Sequence, residues 1–108
     1  MTVKALADLE LFTPIILSEP ERDISGVYIG DLLSWVMGRA GEDNAWITIM
    51  SNINVAAVAS LSDVACVILT EDVTLEDDVL AVCNEKGVNV LCSSLPSFET
   101  AIKLYGMV

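Results

Sequence analysis

Nine positions carry oxygen chemistry in one recurring place, the residue or two after an apolar run: Asp31; Ser51, Asn52 and Asn54; Thr70, Glu71 and Asp72; Ser93 and Ser94. Their hydroxyls, amides and carboxylates suit hydrogen bonding to amide, hydroxyl or base edges of a small molecule. Asp31, Glu71 and Asp72 add an oxygen set of the kind hard cations such as Mg²⁺ or Ca²⁺ prefer, although acids at helix starts serve most often as caps. Covalent chemistry finds less support. Ser93-Ser94 lies in no G-x-S-x-G elbow, and the chain has no histidine to act as a base. Its absence also removes the commonest transition-metal ligand. Cys92 stands at the end of a strand-like run, where packing explains a cysteine better than reactivity does. The candidate binding set is therefore Asp31, Ser51, Asn52, Asn54, Thr70 and Ser93, with no catalytic residue, metal ligand or cofactor motif.

Gly26 and Gly30 bracket a β-branched run in "SGVYIGDLLSWVM". A dinucleotide fingerprint needs G-x-G-x-x-G and a P-loop needs G-x-x-x-x-G-K-[ST]; this spacing meets neither. Asp31 is expected to cap the following helix, where its charge repels the phosphate that a helix N-terminus attracts. The stretch reads as a joint between a strand and a helix.

The elements that place these residues alternate regularly. Thr2 is expected to cap a short helix reaching about Leu9, and "TPIIL" is a short strand with proline at its start. The connection Ser18–Asp23 is too short for a parallel crossover, so this first strand is expected antiparallel at an edge, or unpaired with the next. From Ile24 onward, strand and helix repeat four times. The strands are Ile24–Ile29, "AWITI", "ACVIL" and "VNVLC". The helices are Asp31–Arg39, "VAAVASL" capped by Asn54, "TLEDDVLAVCNEKG", and "SSLPSFETAIKLYG" with Pro96 in its first turn. Near-continuous apolar strands alternating with helices predict a three-layer α/β/α sandwich around a mostly parallel sheet of about five strands. Residues 1–108 form one domain. In such a sheet every loop after a parallel strand lies at the carboxyl end, which gathers the polar positions on one rim.

Composition sets outer bounds. Sixteen acids face five bases, a net charge of −11, while mean hydropathy is +0.61 and 54% of residues are hydrophobic. The bases form no stripe, which excludes nucleic acid and anionic membrane as natural partners. No apolar run approaches the roughly 18 residues of a membrane span. The N-terminus carries no signal-peptide pattern. Three cysteines without a C-x-x-C fit free thiols in a reducing cytoplasm. The helix Asp31–Arg39 has apolar side chains on more than one face, so the surface left at Trp35 and Met37 is expected to form a homodimer interface.

The segments "ERDISGVYIGDLLSWVM", "AWITIMSNINVAAVA" and "GVNVLCSSLPSFETAIKLY" resemble the DRTGG domain family over nearly the whole chain. Arg22, Gly26, Gly30, Asp31, Trp46, Thr48, Asn54, Phe98 and Glu99 carry the likeness. Glu21 replaces a frequent Asp, and Met50 and Asn52 stand where many members have Gln and His. The resemblance implies a fold similar to the N-terminal domain of HPr kinase/phosphorylase. It implies no catalytic residues. It further implies a regulatory or dimerising role, such as these domains have in some phosphate acetyltransferases and CBS-containing pyrophosphatases. The expected function is a non-catalytic cytoplasmic regulatory module that homodimerises and binds a small ligand at the rim. The alternative is a structural adaptor for a partner protein, such as a metabolic or redox enzyme; a metal-assisted enzyme ranks below both.

Overall fold

The computed structural model describes all 108 residues. Thr2 accepts a hydrogen bond from the Ala5 N–H at 3.1 Å and starts α1, Val3–Ala7. There follow β1 (Phe12–Ile16), β2 (Gly26–Ile29), α2 (Leu33–Arg39), β3 (Asn44–Thr48) and α3 (Asn54–Ser62). The chain ends with β4 (Cys66–Leu69), α4 (Asp77–Glu85), β5 (Val90–Ser93) and α5 (Ser97–Leu104). The five-stranded sheet has the order β1-β5-β4-β3-β2. Strands β2 to β5 are parallel, and β1 runs antiparallel to β5 at the edge, where Pro14 is tolerated because one side of the strand needs no partner.

The order β2, β3, β4, β5 never reverses. Right-handed crossovers therefore place α2, α3 and α4 on one face of the sheet. The core confirms this side by side. Val36, Val55, Ala59, Val79 and Cys83 from these helices pack on Trp46, Val67, Leu69 and Val90. Alternate residues of the same strands, Ala45, Ile47, Cys66, Ile68 and Leu91, face Val3 and Leu6 of α1 and Leu104 of α5. The result is the three-layer sandwich, with three helices on one face and two on the other.

Three helix starts differ from the sequence expectation. Asp31 does not cap α2: the helix begins at Leu33, with Leu32 in the cap position and no side-chain cap bond. The Asp31 carboxylate is instead held by β3, as described below. Asn54 is not a cap but the first residue of α3, and it is Asn52 whose side-chain oxygen accepts the Asn54 N–H at 2.8 Å. An Asx turn thus shapes this start from two residues earlier. Pro96 precedes α5 in the cap position rather than standing in its first turn.

At the amino ends of the parallel strands, Arg22 ties three loops together. Its Nε donates to Asp43 Oδ1 at 2.8 Å, its Nη2 donates to the carboxylate of Asp63 at 2.7 Å and to the Asp63 carbonyl, and Nη1 lies 3.6 Å from Glu19. Asp43 and Asp63 both have left-handed backbones, with φ of 63° and 56°. The Asp43 N–H donates to the Asp63 carbonyl, and the Ser25 N–H to the Asp43 carbonyl. Arg22 therefore clamps the turns that feed β2, β3 and β4. Burial works against its charge, but the bonds to Asp43 and Asp63 outweigh it and hold the guanidinium pKa above its ordinary value.

Replacing Arg22 by Ala is expected to cost about 2 kcal/mol, because charge-assisted bonds are lost while partly exposed partners rehydrate. Arg22→Lys should recover less than half, since an ammonium cannot span Asp43 and Asp63 as a planar fork does. Urea denaturation of the three proteins reads both values.

Cys66 is fully buried against the second face, and burial pushes its thiol up to about 12, with the Arg22 charge opposing. A group with a raised folded-state pKa supports the fold fully below its unfolded value and less as pH rises above it. Stability should therefore fall between pH 9 and 11, with this thiol contributing up to about 1.4 kcal/mol per pH unit. Cys66→Ala should flatten the slope by up to one proton, whatever its effect on absolute stability; chemical denaturation across that range is the measurement.

Candidate functional site

The four parallel strands send the turns after β2, β3, β4 and β5 to the same end of the sheet. All six candidate residues share that end, but the rim is divided into two unlike halves.

The half after β2 and β3 is open. Gly30 and Asp31 are interlocked with β3. The Gly30 N–H donates to the Ile47 carbonyl at 3.1 Å, and the Trp46 indole donates to the Gly30 carbonyl at 2.9 Å. Asp31 Oδ1 accepts from the Thr48 hydroxyl at 2.8 Å and from the Ile49 N–H at 3.0 Å, and Thr48 Oγ1 in turn accepts the Met50 N–H. A side chain at position 30 would have to displace the Tyr28 ring, because a Cβ there would stand 2.8 Å from it. Gly30, Asp31, Trp46 and Thr48 thus form one contiguous assembly. Beside it Ser51, Asn52 and Asn54 are exposed. The Asn52 oxygen is engaged by the Asn54 N–H, which leaves its amide nitrogen free together with the side chains of Ser51 and Asn54.

The half after β4 and β5 is closed. Thr70 has no exposed surface, and its hydroxyl bonds to Ser97 Oγ at 2.8 Å. Ser93 is buried and bonds to the Thr100 hydroxyl at 2.9 Å while accepting the Leu95 N–H. The intervening backbones are stitched, Glu71 N–H to the Leu95 carbonyl and Asp72 N–H to the Ser93 carbonyl. Glu71 and Asp72 are both left-handed, at φ of 56° and 59°, and the Val73 N–H closes their turn on the Thr70 carbonyl. This matches the dihedral signs of a type I′ turn. Asp31, Glu71 and Asp72 are not brought together, and no three His, Cys, Asp or Glu side chains converge as a metal site. Every buried side-chain nitrogen and oxygen has a hydrogen-bond partner.

Two cavities lie elsewhere on the surface. One, of about 300 Å³, is a groove between α2 and α3 walled by Leu33, Met37, Ala57 and Leu61, with Asn54 at its border as the one candidate rim residue it reaches. Trp35 and Met37 are exposed on α2, with the Arg39 guanidinium 4.1 Å above the Trp35 ring. Sequence reasoning missed this groove because no motif marks it; Leu33 and Met37 of α2 and Ala57, Val58 and Leu61 of α3 come together only when the two helices pack. The other, of about 510 Å³, lies between β2 and α5. No helix is long and apolar enough to cross a membrane.

Set against known proteins, the chain matches no curated protein. Among solved structures it superposes on the CBS and DRTGG domains of the regulatory region of Clostridium perfringens pyrophosphatase, complexed with the activator diadenosine tetraphosphate. The TM-score is 0.73 at 13% identity, over 94% of this chain and 44% of that one. At that identity the likeness shows the fold, and the chain spans less than half the length of the matched structure. The model of the DRTGG domain matches residues 12–107, which include the Arg22 clamp, the Gly30–Asp31–Trp46–Thr48 assembly and all of β1 to α5, so the chain belongs to the DRTGG domain family.

Proposed function

We propose that this domain is a non-catalytic regulatory module of the cytoplasm that homodimerises through the α2–α3 face and binds a small ligand on the open half of the rim. The observation that carries the reading is the Asp31–Thr48–Ile49 assembly, which holds the turn after β2 against the loop after β3 and leaves Ser51, the Asn52 amide and Asn54 exposed beside it. Membership of a family found in the regulatory region of a pyrophosphatase supports the regulatory role. The Asp31 carboxylate disfavours a bare phosphate, so the ligand is an uncharged or cationic group, or an anion bridged by Mg²⁺. Thr70 and Ser93 serve this site from within, fixing the neighbouring loops. The α2–α3 face suits self-association because neither helix contains an acid in a chain of net charge −11. Three free cysteines fit a reducing compartment.

A structural adaptor for a metabolic or redox partner enzyme is the second reading. It is favoured by the fact that neither surface cavity gathers the six rim residues.

Thermal denaturation with diadenosine tetraphosphate and with ATP, each with and without Mg²⁺, separates the readings. A ligand binder shows a midpoint that rises with concentration. Ser51→Ala with Asn54→Ala should weaken that binding by about tenfold, the worth of one to two hydrogen bonds. No rise with either nucleotide removes the Mg²⁺-bridged anion, and no rise across a broad panel of uncharged and cationic metabolites sinks the ligand reading and leaves the adaptor.

For self-association, Trp35→Glu should lower the assembled mass in sedimentation at micromolar concentration without changing the circular dichroism spectrum. A single-copy mass for the unaltered protein refutes the homodimer.

A further inference from the structure

The face opposite α2, α3 and α4 is incompletely covered. Helices α1 and α5 shield β1, β5, β4 and β3, whereas β2 at the sheet edge keeps Val27 and Ile29 exposed at 37% and 49%. Both side chains lie on this second face, since they pair in register with Ala45 and Ile47 of its core. They floor the cavity of about 510 Å³, whose wall is Ala101 of α5 and Tyr105 at its end. Phe98, Ile102 and Tyr105 form an exposed stripe within about 60° of arc, clear of the buried Thr100 and Leu104. Glu99 and Lys103 lie about 160° around the helix from Ala101, on the side away from β2. No charged side chain lines the cavity.

β2 is also unguarded along its edge. In a parallel ladder alternate residues point their N–H and C=O groups away from the partner strand. Gly30 donates to Ile47 of β3, which sets the even positions toward β3 and leaves the backbone groups of Val27 and Ile29 directed outward. Soluble proteins blunt such edges with Lys, Pro or a bulge. β2, "GVYI", has none of these, and its register with β3 runs unbroken.

Both ends of this edge are acidic. Asp23 precedes β2 and Asp31 follows it; both are exposed and neither has an ion-pair partner. Asp31 accepts its bonds from Thr48 and Ile49 through Oδ1, which leaves Oδ2 to the outside. The neighbouring base, Arg22, is committed to Glu19, Asp43 and Asp63.

We propose that β2 takes up an extended segment of a partner protein as an added strand, the segment being apolar at alternate positions with Lys or Arg at each end. Its backbone pairs with the outward N–H and C=O groups of Val27 and Ile29, the usual source of affinity in strand addition. Its apolar side chains on the second face enter the cavity against Ala101 and Tyr105, and its basic ends meet Asp23 and Asp31. Acid at both ends lets a strand of either direction make these contacts. The same charges select a foreign, basic segment over a second copy. β2 paired antiparallel with itself about Tyr28 brings Asp31 of each copy within two residues of Asp23 of the other, in chains that each carry a net charge of −11. This contact goes beyond the rim ligand and the association through α2 and α3, and needs neither.

The test uses two end-capped peptides, KTVTITVTK and its charge-reversed form ETVTITVTE, titrated into the full chain up to about 1 mM, the weak end of specific affinity. The two end charges match the spacing of Asp23 and Asp31, and Val, Ile and Val fall on the face of Val27 and Ile29. KTVTITVTK should bind saturably and slow hydrogen exchange of the Val27 and Ile29 amides at least tenfold. ETVTITVTE should bind at least tenfold more weakly. Ile29→Lys, at an exposed position, should keep its thermal midpoint near that of the unaltered protein while losing at least tenfold in affinity for KTVTITVTK. The proposal is overturned by absence of saturable binding, by equal affinity for the two peptides, or by binding that leaves both amides in fast exchange. It is equally overturned if, without peptide, protection of these amides grows with protein concentration, since a second copy then covers the edge.

Discussion

The handedness of the strand–helix–strand crossover governs this molecule. With β2 to β5 laid down in unbroken order, it commits three successive helices to one face and leaves the other to the short α1 and to α5. It also fixes where neighbouring loops part toward opposite faces: between β4, which leads to α4, and β5, which leads to α5. Open α/β sheets usually hold their ligands at such a divergence. Here the crevice is sealed by the stitched backbones of Glu71, Asp72, Ser93 and Leu95 and by the Thr70–Ser97 bond. The exposed polar groups lie instead above β2 and β3, whose following helices share one face.

The sealing turn is made from unfavourable material. Two consecutive acids adopt left-handed backbones where glycine or asparagine is the usual choice. They are tolerated because each N–H finds a carbonyl on the β5 side, so the turn extends the sheet's hydrogen bonding beyond the last paired residues. The same logic recurs at the other end of the sheet, where Asp43 and Asp63 are left-handed and both pair with Arg22. Four of the sixteen acids thus terminate or turn the chain, and their charge is partly offset by Arg22 at one end and left in solvent at the other.

The order of elements, the edge position of β1 and the sandwich were legible because β-branched runs alternate with helical periodicity and because a six-residue link cannot cross over. What escaped was tertiary in origin. Asp31 looks like a helix cap, yet its partners Thr48 and Ile49 lie 17 and 18 residues away. Arg22 is conspicuous only through family resemblance, and its acceptors stand 21 and 41 residues later. Thr70 and Ser93 were placed correctly at strand ends, but nothing local says that Ser97 and Thr100 of α5 fold back over them. The expectation of apolar surface at Trp35 and Met37 agrees with their exposure. The larger stripe on α5 was hidden because Phe98, Ile102 and Tyr105 sit beside the buried arc and read as part of one amphipathic face.

The open rim and the α2–α3 groove are mechanically close. Asp31 is bonded to β3 two residues before α2 begins, and Asn54 both ends the loop after β3 and borders the groove that Met37 and Leu61 wall. A ligand held by Ser51 and Asn54, as proposed, would therefore act on the first turn of α3, and any shift of Asp31 would act on the first turn of α2. Because α2 and α3 pack directly on one another, the groove between them reads both displacements. Linkage then demands reciprocity: a ligand that favours the associated form must itself bind more tightly when that form is populated. On the proposed reading, that coupling is the physical means by which binding at the rim would become regulation.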